Sequence, residues 1–143
     1  MNQNRSLGSS RKKKEARDNN QKPITFNNGL ADMGVVYRKW GYYRVLHDAD
    51  GYSVKELVIL PGRTLSDQKH AKRDEHWLVV SGQLDIDVDY MVGHGVQLET
   101  LEAGESYDIG SGVWHRPHNT TEENVVVIET WLGNSTEEDI ERR

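Results

Sequence analysis

A chain of 143 residues with a net charge of −5 and no cysteine has room for one modest core. Disulfides and thiolate metal sites are excluded, and no run of about 18 apolar residues is present to span a membrane. Residues 1–22 hold seven Lys/Arg against two acids, and the remainder holds 11 against 21, so the body of the chain is acidic and ill suited to nucleic acid.

Residues 1–30 read as a disordered basic tail, rich in Asn, Gln, Ser, Lys and Arg with little to bury. No apolar leader opens the chain, which predicts a cytoplasmic protein. From Val35 onward short apolar runs alternate with turn residues. YYRVLHD (42–48) runs into a turn at Asp48–Gly51, and YSVKELVIL (52–60) is stopped by Pro61-Gly62. HWLVVSG (76–82) precedes LDIDVDYM (84–91), which alternates strictly through Leu84, Ile86 and Val88. Gly93-His94-Gly95 makes a hairpin tip, followed by VQLETL (96–101), SYDIG (106–110) and NVVVIETWL (124–132). Short strands between Gly-rich turns predict an all-β sandwich or barrel. Only STEEDIERR (135–143) reads as a short helical turn, with Ser135 or Thr136 as cap and acids in its first turn.

The candidate chemistry lies in DQKHAKRDEHWLVVSG (67–82) and GESYDIGSGVWHRPHN (104–119). Gln68 and His70, two apart, share a strand face. Glu75, five further on, breaks that parity, so a turn or bulge must intervene. His115 must come from a different strand, because ligands have to surround a metal. Two imidazoles, a carboxylate and an amide oxygen suit one divalent ion such as Zn, Mn, Fe, Co or Ni, with positions left open for water or substrate. Gln68 is the weakest donor of the four. By parity His76 faces away from Glu75, and His47, His94 and His118 sit beside turns or loops and read as surface residues.

The intervals from Gly62 through Gln68, His70 and Glu75 to Gly82, and from Gly104 through Gly110 and His115 to Asn119, resemble the two cupin motifs. That resemblance implies a cupin double-stranded β-helix, a jelly-roll barrel with a metal in its interior. YRKWGYYRVL, GYSVKELVILPGRTLS, QKHAKRDEHWLVVSG, GESYDIGSGVWHRPHN and EEDI are similar, in order, to the cupin domain of type II mannose-6-phosphate isomerases. This domain often follows a mannose-1-phosphate guanylyltransferase in one bifunctional chain. The likeness covers about residues 35–140, read as a single cupin domain. In that family Gln stands where other cupins have His, as Gln68 does here.

The resemblance implies interconversion of mannose 6-phosphate and fructose 6-phosphate. This chemistry needs a metal to polarise the sugar oxygens, a base to move a proton and cations for the phosphate. Arg73, which shares the parity of Glu75, is the first candidate for the sugar phosphate. Lys55 and Arg116 match family positions, and Arg38 belongs to the family's Arg-x-Trp-Gly. Trp40 and Trp114 are candidates for the pocket wall or, more simply, for core packing, and no general base stands out. The chain departs from the family pattern at Lys39 and Gly110, both usually Pro, and at Trp131, usually Gln. It has a longer stretch between Gly82 and Gly104, and too few residues ahead of the barrel for a guanylyltransferase. Two other readings stay open: a non-catalytic cupin that binds a sugar or sugar phosphate, and another cupin metalloenzyme such as an oxygenase. Exposed sheet edges would accept a second copy as a homodimer.

Overall fold

The computed structural model describes residues 34–136 and 138–143, and every regular element among them is a strand. In chain order these are β1 (Val35–Arg38), β2 (Gly41–Ala49), β3 (Tyr52–Ile59), β4 (Gln68–Lys69), β5 (Asp74–Ser81) and β6 (Leu84–Asp89). They continue as β7 (Gln97–Leu101), β8 (Ser106–Ile109), β9 (Trp114–His118), β10 (Val125–Leu132) and β11 (Glu141–Arg142). One sheet has the order β1-β2-β3-β10-β5-β8 and the other β11-β4-β9-β6-β7, and all their pairings are antiparallel. The all-β expectation holds. The basic tail expected over residues 1–30 lies outside the described residues, among which no helix is long and apolar enough to cross a membrane.

The C-terminal helical turn is a correction. Residues 141–142 form β11 instead, pairing with β4. Of the acids that read as a helical first turn, Asp139 finds tertiary partners: its carboxylate accepts from the amides of Ala71 and Lys72 at 3.2 and 2.8 Å. Two fixed amide donors from a distant turn outweigh a weak local helix preference.

Alternate residues of the strands meet between the sheets. Leu57 and Ile59 of β3, Trp77 and Val79 of β5, and Val125 and Val127 of β10 pack with Leu84, Ile86 and Val88 of β6. Followed in the other direction, the same inward faces turn polar. Leu57 gives way to Lys55, Trp77 to Glu75, and Val127 to Glu129 and Trp131, all buried. Register places these residues together: Glu129 lies opposite both Lys55 and Trp77, and Trp131 lies opposite Glu75. The barrel therefore has a dry end and a polar end.

Candidate metal centre

The chain crosses between sheets at the turn that follows β4. Gln68 and His70 come from the five-stranded side, whereas Glu75 is the second residue of β5 in the six-stranded sheet. This turn is the interruption that the five-residue spacing required. Gly133, at the end of β10, seats it: its φ is +128°, and a Cβ there would lie 2.5 Å from the Lys72 carbonyl oxygen, so only glycine fits. His115 arrives on β9, directly opposite Gln68, which puts the two on one face. Strand β9 tolerates Pro117 because the Pro117 carbonyl, and hence its nitrogen, points toward Leu65 rather than β6.

His70, Glu75 and His115 are all buried, and their ligand atoms lie within 4.8 Å of one another. His70 Nε2 is 2.9 Å from Glu75 Oε1, and His115 Nε2 is 3.3 Å from Glu75 Oε2. Each ring donates its Nδ1–H to a backbone carbonyl, His70 to Asp139 and His115 to Val113, both at 2.9 Å. A carbonyl only accepts, so each ring keeps its Nδ1 proton and turns Nε2 toward the carboxylate, as a bare lone pair when neutral and as an N–H donor when protonated. In the neutral form two lone pairs facing an anion call for a cation between them, and His115 Nε2 has no hydrogen-bond partner. This donor set, oriented from behind by carbonyls, fits a borderline divalent ion. Burial opposes ionisation of Glu75, but the His115 and His70 rings beside it more than compensate and hold its carboxyl well below the usual carboxylate range. The indole N–H of Trp77 also donates to Glu75 Oε2 at 2.8 Å.

Arg73 faces inward, as its parity predicted, but its donors are engaged. Nε donates to Glu75 Oε1 at 2.9 Å and Nη2 to His70 Nε2 at 3.0 Å, while the guanidinium lies 3.3 Å from the Trp131 ring centroid. Because the His70 Nε2 has a single lone pair, Arg73 and a metal ion exclude each other from it. A pocket of about 560 Å³, counted to its open mouth, adjoins this group. Arg38, Lys55, Arg73 and Arg142 bring four cations to its lining, together with Gln68 and Glu129. Trp40, Tyr43 and Trp131 supply aromatic wall, with Lys55 Nζ 3.6 Å from the Trp131 ring centroid.

Two candidates lie away from the pocket. Arg116 follows an inward His115, so it points outward, about half exposed, with its guanidinium 2.8 Å from Asp87; it does not line the pocket. Trp114 lies on that same outer face beneath Arg143 and Lys69, at 4.4 and 5.0 Å from its ring centroid. The four other histidines stay out of the site, with His76 bonded to Asp108 and His118 3.4 Å from Asp87. Glu129, Trp131, Asp139 and Arg142 were missed as site residues. A usable signal existed for the first two: the alternation of NVVVIETWL puts them in phase with core Val125 and Val127.

Residues 27–143 match the family described as mannose-6-phosphate isomerase C-terminal. Over 104 residues the chain is 36% identical to a mannose-1-phosphate guanylyltransferase of Escherichia coli (strain K12), covering 73% of this chain and 20% of that protein. It is 36% identical over the same length to the xanthan biosynthesis protein XanB of Xanthomonas campestris pv. campestris, covering 73% and 21%. The chain thus spans about a fifth of the length of these relatives. Among solved structures, the capsular polysaccharide assembling protein CapF from Staphylococcus aureus superposes with a TM-score of 0.68 at 20% identity, over 76% of this chain and 33% of that one. A mutant of the Bacillus subtilis oxalate decarboxylase OxdC gives 0.69 at 15%, over 79% and 30%. These likenesses establish the cupin fold.

Proposed function

Since the chain belongs to the mannose-6-phosphate isomerase C-terminal family, we propose that it interconverts mannose 6-phosphate and fructose 6-phosphate with one divalent metal ion. The observation that carries this reading is the buried His70–Glu75–His115 cluster beside a pocket lined by four cationic side chains. His70, Glu75 and His115 would hold the ion, with Gln68 as a weaker oxygen donor. When bound, the ion would supply Lewis-acid polarisation of the sugar oxygens.

The rest falls to this chain's own side chains. Arg38 and Arg142 line the same pocket as the inner cations and are placed to receive a phosphate bidentately. Lys55, held against the Trp131 and Tyr43 rings, keeps a positive charge deeper in. Trp40 and Trp131 shape the wall and exclude water from a sugar's apolar face. The test is a coupled assay of the full chain after loading with Mn, Zn, Co, Ni or Fe. Formation of fructose 6-phosphate from mannose 6-phosphate, lost on chelation, is the expected result. No turnover with any ion would sink the reading.

One observation favours a second reading, a sugar-phosphate-binding cupin without turnover. Arg73 already occupies lone pairs of both Glu75 and His70. In that case mannose 6-phosphate would raise the melting temperature while the sugar stayed unconverted.

A further inference from the structure

We propose that Glu129 carries the proton between C1 and C2 of the sugar, an assignment that rests on the isomerase reading. Isomerisation needs one group that gives up and takes back a proton at carbon. Among the described residues, Glu129 is the one carboxylate lining the pocket. Arg38, Arg73 and Arg142 cannot release a proton. Lys55 Nζ is engaged over the Tyr43 and Trp131 rings, 4.9 and 3.6 Å from their centroids. Glu75 is turned toward His70, His115 and Trp77.

Glu129 is also positioned. It is only 6% exposed, and the Trp131 indole N–H donates to its Oε1 at 2.9 Å, which fixes the plane of the carboxyl. On β10 it stands two residues from Trp131, which lies opposite Glu75, so it borders the ligand group without belonging to it.

The step balances within the sugar. The C2–H bond breaks, its proton goes to Glu129, and its electron pair becomes the C1=C2 bond. The carbonyl pair moves onto O1, which takes the proton that leaves O2. Return of the proton from Glu129 to C1 re-forms the carbonyl at C2. C2 is oxidised and C1 reduced by the same pair, so no external oxidant enters.

The experiment follows mannose 6-phosphate deuterated at C2, in ordinary water, with the metal-loaded full chain. Wild type should release the label and form fructose 6-phosphate. Glu129→Gln should lose at least about a hundredfold in kcat and in label release, with KM and metal content within about threefold of wild type. Glu129→Asp should recover part of both rates. If Glu129→Gln keeps kcat within about fivefold of wild type, or if its metal content falls along with kcat, the assignment is overturned. Should Glu129→Gln fail to fold, Glu129→Asp alone decides, since a carboxyl withdrawn by one methylene must slow label release at least about tenfold. A wild type that neither turns over nor releases label removes the isomerase reading and this role together. Exchange in both wild type and Glu129→Gln removes only the role.

Discussion

The two ends of the barrel interior are built by the same strands with the same alternation, and they do opposite things. At one end Trp77, Val79, Ile86, Val88, Val125 and Val127 are fully buried, and each such side chain is worth roughly 1.5–3 kcal/mol in area removed from water. At the other end, one or two positions further along β3, β5 and β10, the buried residues are Lys55, Glu75, Glu129 and Trp131, with Arg73 and both ligand histidines beside them. Buried charges cost stability unless they are paired. The pairing here is dense, and it uses the ligands themselves as partners. Stability is concentrated at the dry end, and the polar end gathers its buried charges at the expense of stability.

That contrast can be broken from either side. The largest effect is expected for Glu75→Ala, which strips two donors of their acceptor and leaves Arg73 buried without its anion. Urea unfolding should show a loss of about 3–5 kcal/mol, and metal analysis of the purified variant should find no ion retained. Ile86→Ala attacks the dry end instead. It should cost about 2–5 kcal/mol and leave metal affinity, read by chelator competition, unchanged. Matching losses of metal affinity in both variants would mean that the two ends are not separable.

Asp139→Ala should act only on the polar end. It frees the Ala71 and Lys72 amides and loosens the turn that presents His70, so metal affinity should fall about tenfold, at the low end for outer-shell changes, again by chelator competition. The smallest effect concerns pH. Glu129 has a raised pKa in the folded state, so its carboxyl destabilises the fold progressively as pH rises above the ordinary carboxylate value. Glu75 and Asp139 have lowered ones, so their contributions are complete above that value and are lost as pH falls through the folded values. Glu129→Gln should therefore be more stable than wild type at pH 7, with the difference vanishing near pH 4. The gain should be smaller than the Ile86→Ala loss, as measured by urea midpoints across pH.

Much of this was legible in the residues. Period-two alternation located β2, β3, β5, β6, β7, β8 and β10, because each carries a run of apolar or β-branched side chains long enough to show a phase. Strands β4 and β11 have two residues each, too short for any pattern. Strand β9, WHRPH, has the composition of a loop and is a strand only because β6 pairs along its whole length. The grouping of His70, Glu75 and His115 was readable from spacing, yet the crossing from one sheet to the other was not, since parity reports a face but not a sheet. Arg116 was the avoidable error. The rule that turned His76 away from Glu75 also turns Arg116 away from His115. Glu129 was hidden for a different reason: the pocket it lines is assembled from β2, β3, β10 and the C-terminal residues, and no single stretch of chain displays that.

The bond from His70 Nδ1 to the Asp139 carbonyl joins residues 69 apart in the chain, and His115 lies forty residues beyond Glu75. Hairpins such as β6–β7, whose ends are close in sequence, can form early. The ligand shell must instead wait for the last residues of the chain to return, a long loop closure that it shares with the β3–β10 pairing. The metal-binding geometry is therefore expected to be among the last features formed in refolding and among the first lost in partial opening, and the timing of metal capture after dilution from urea reports on it directly.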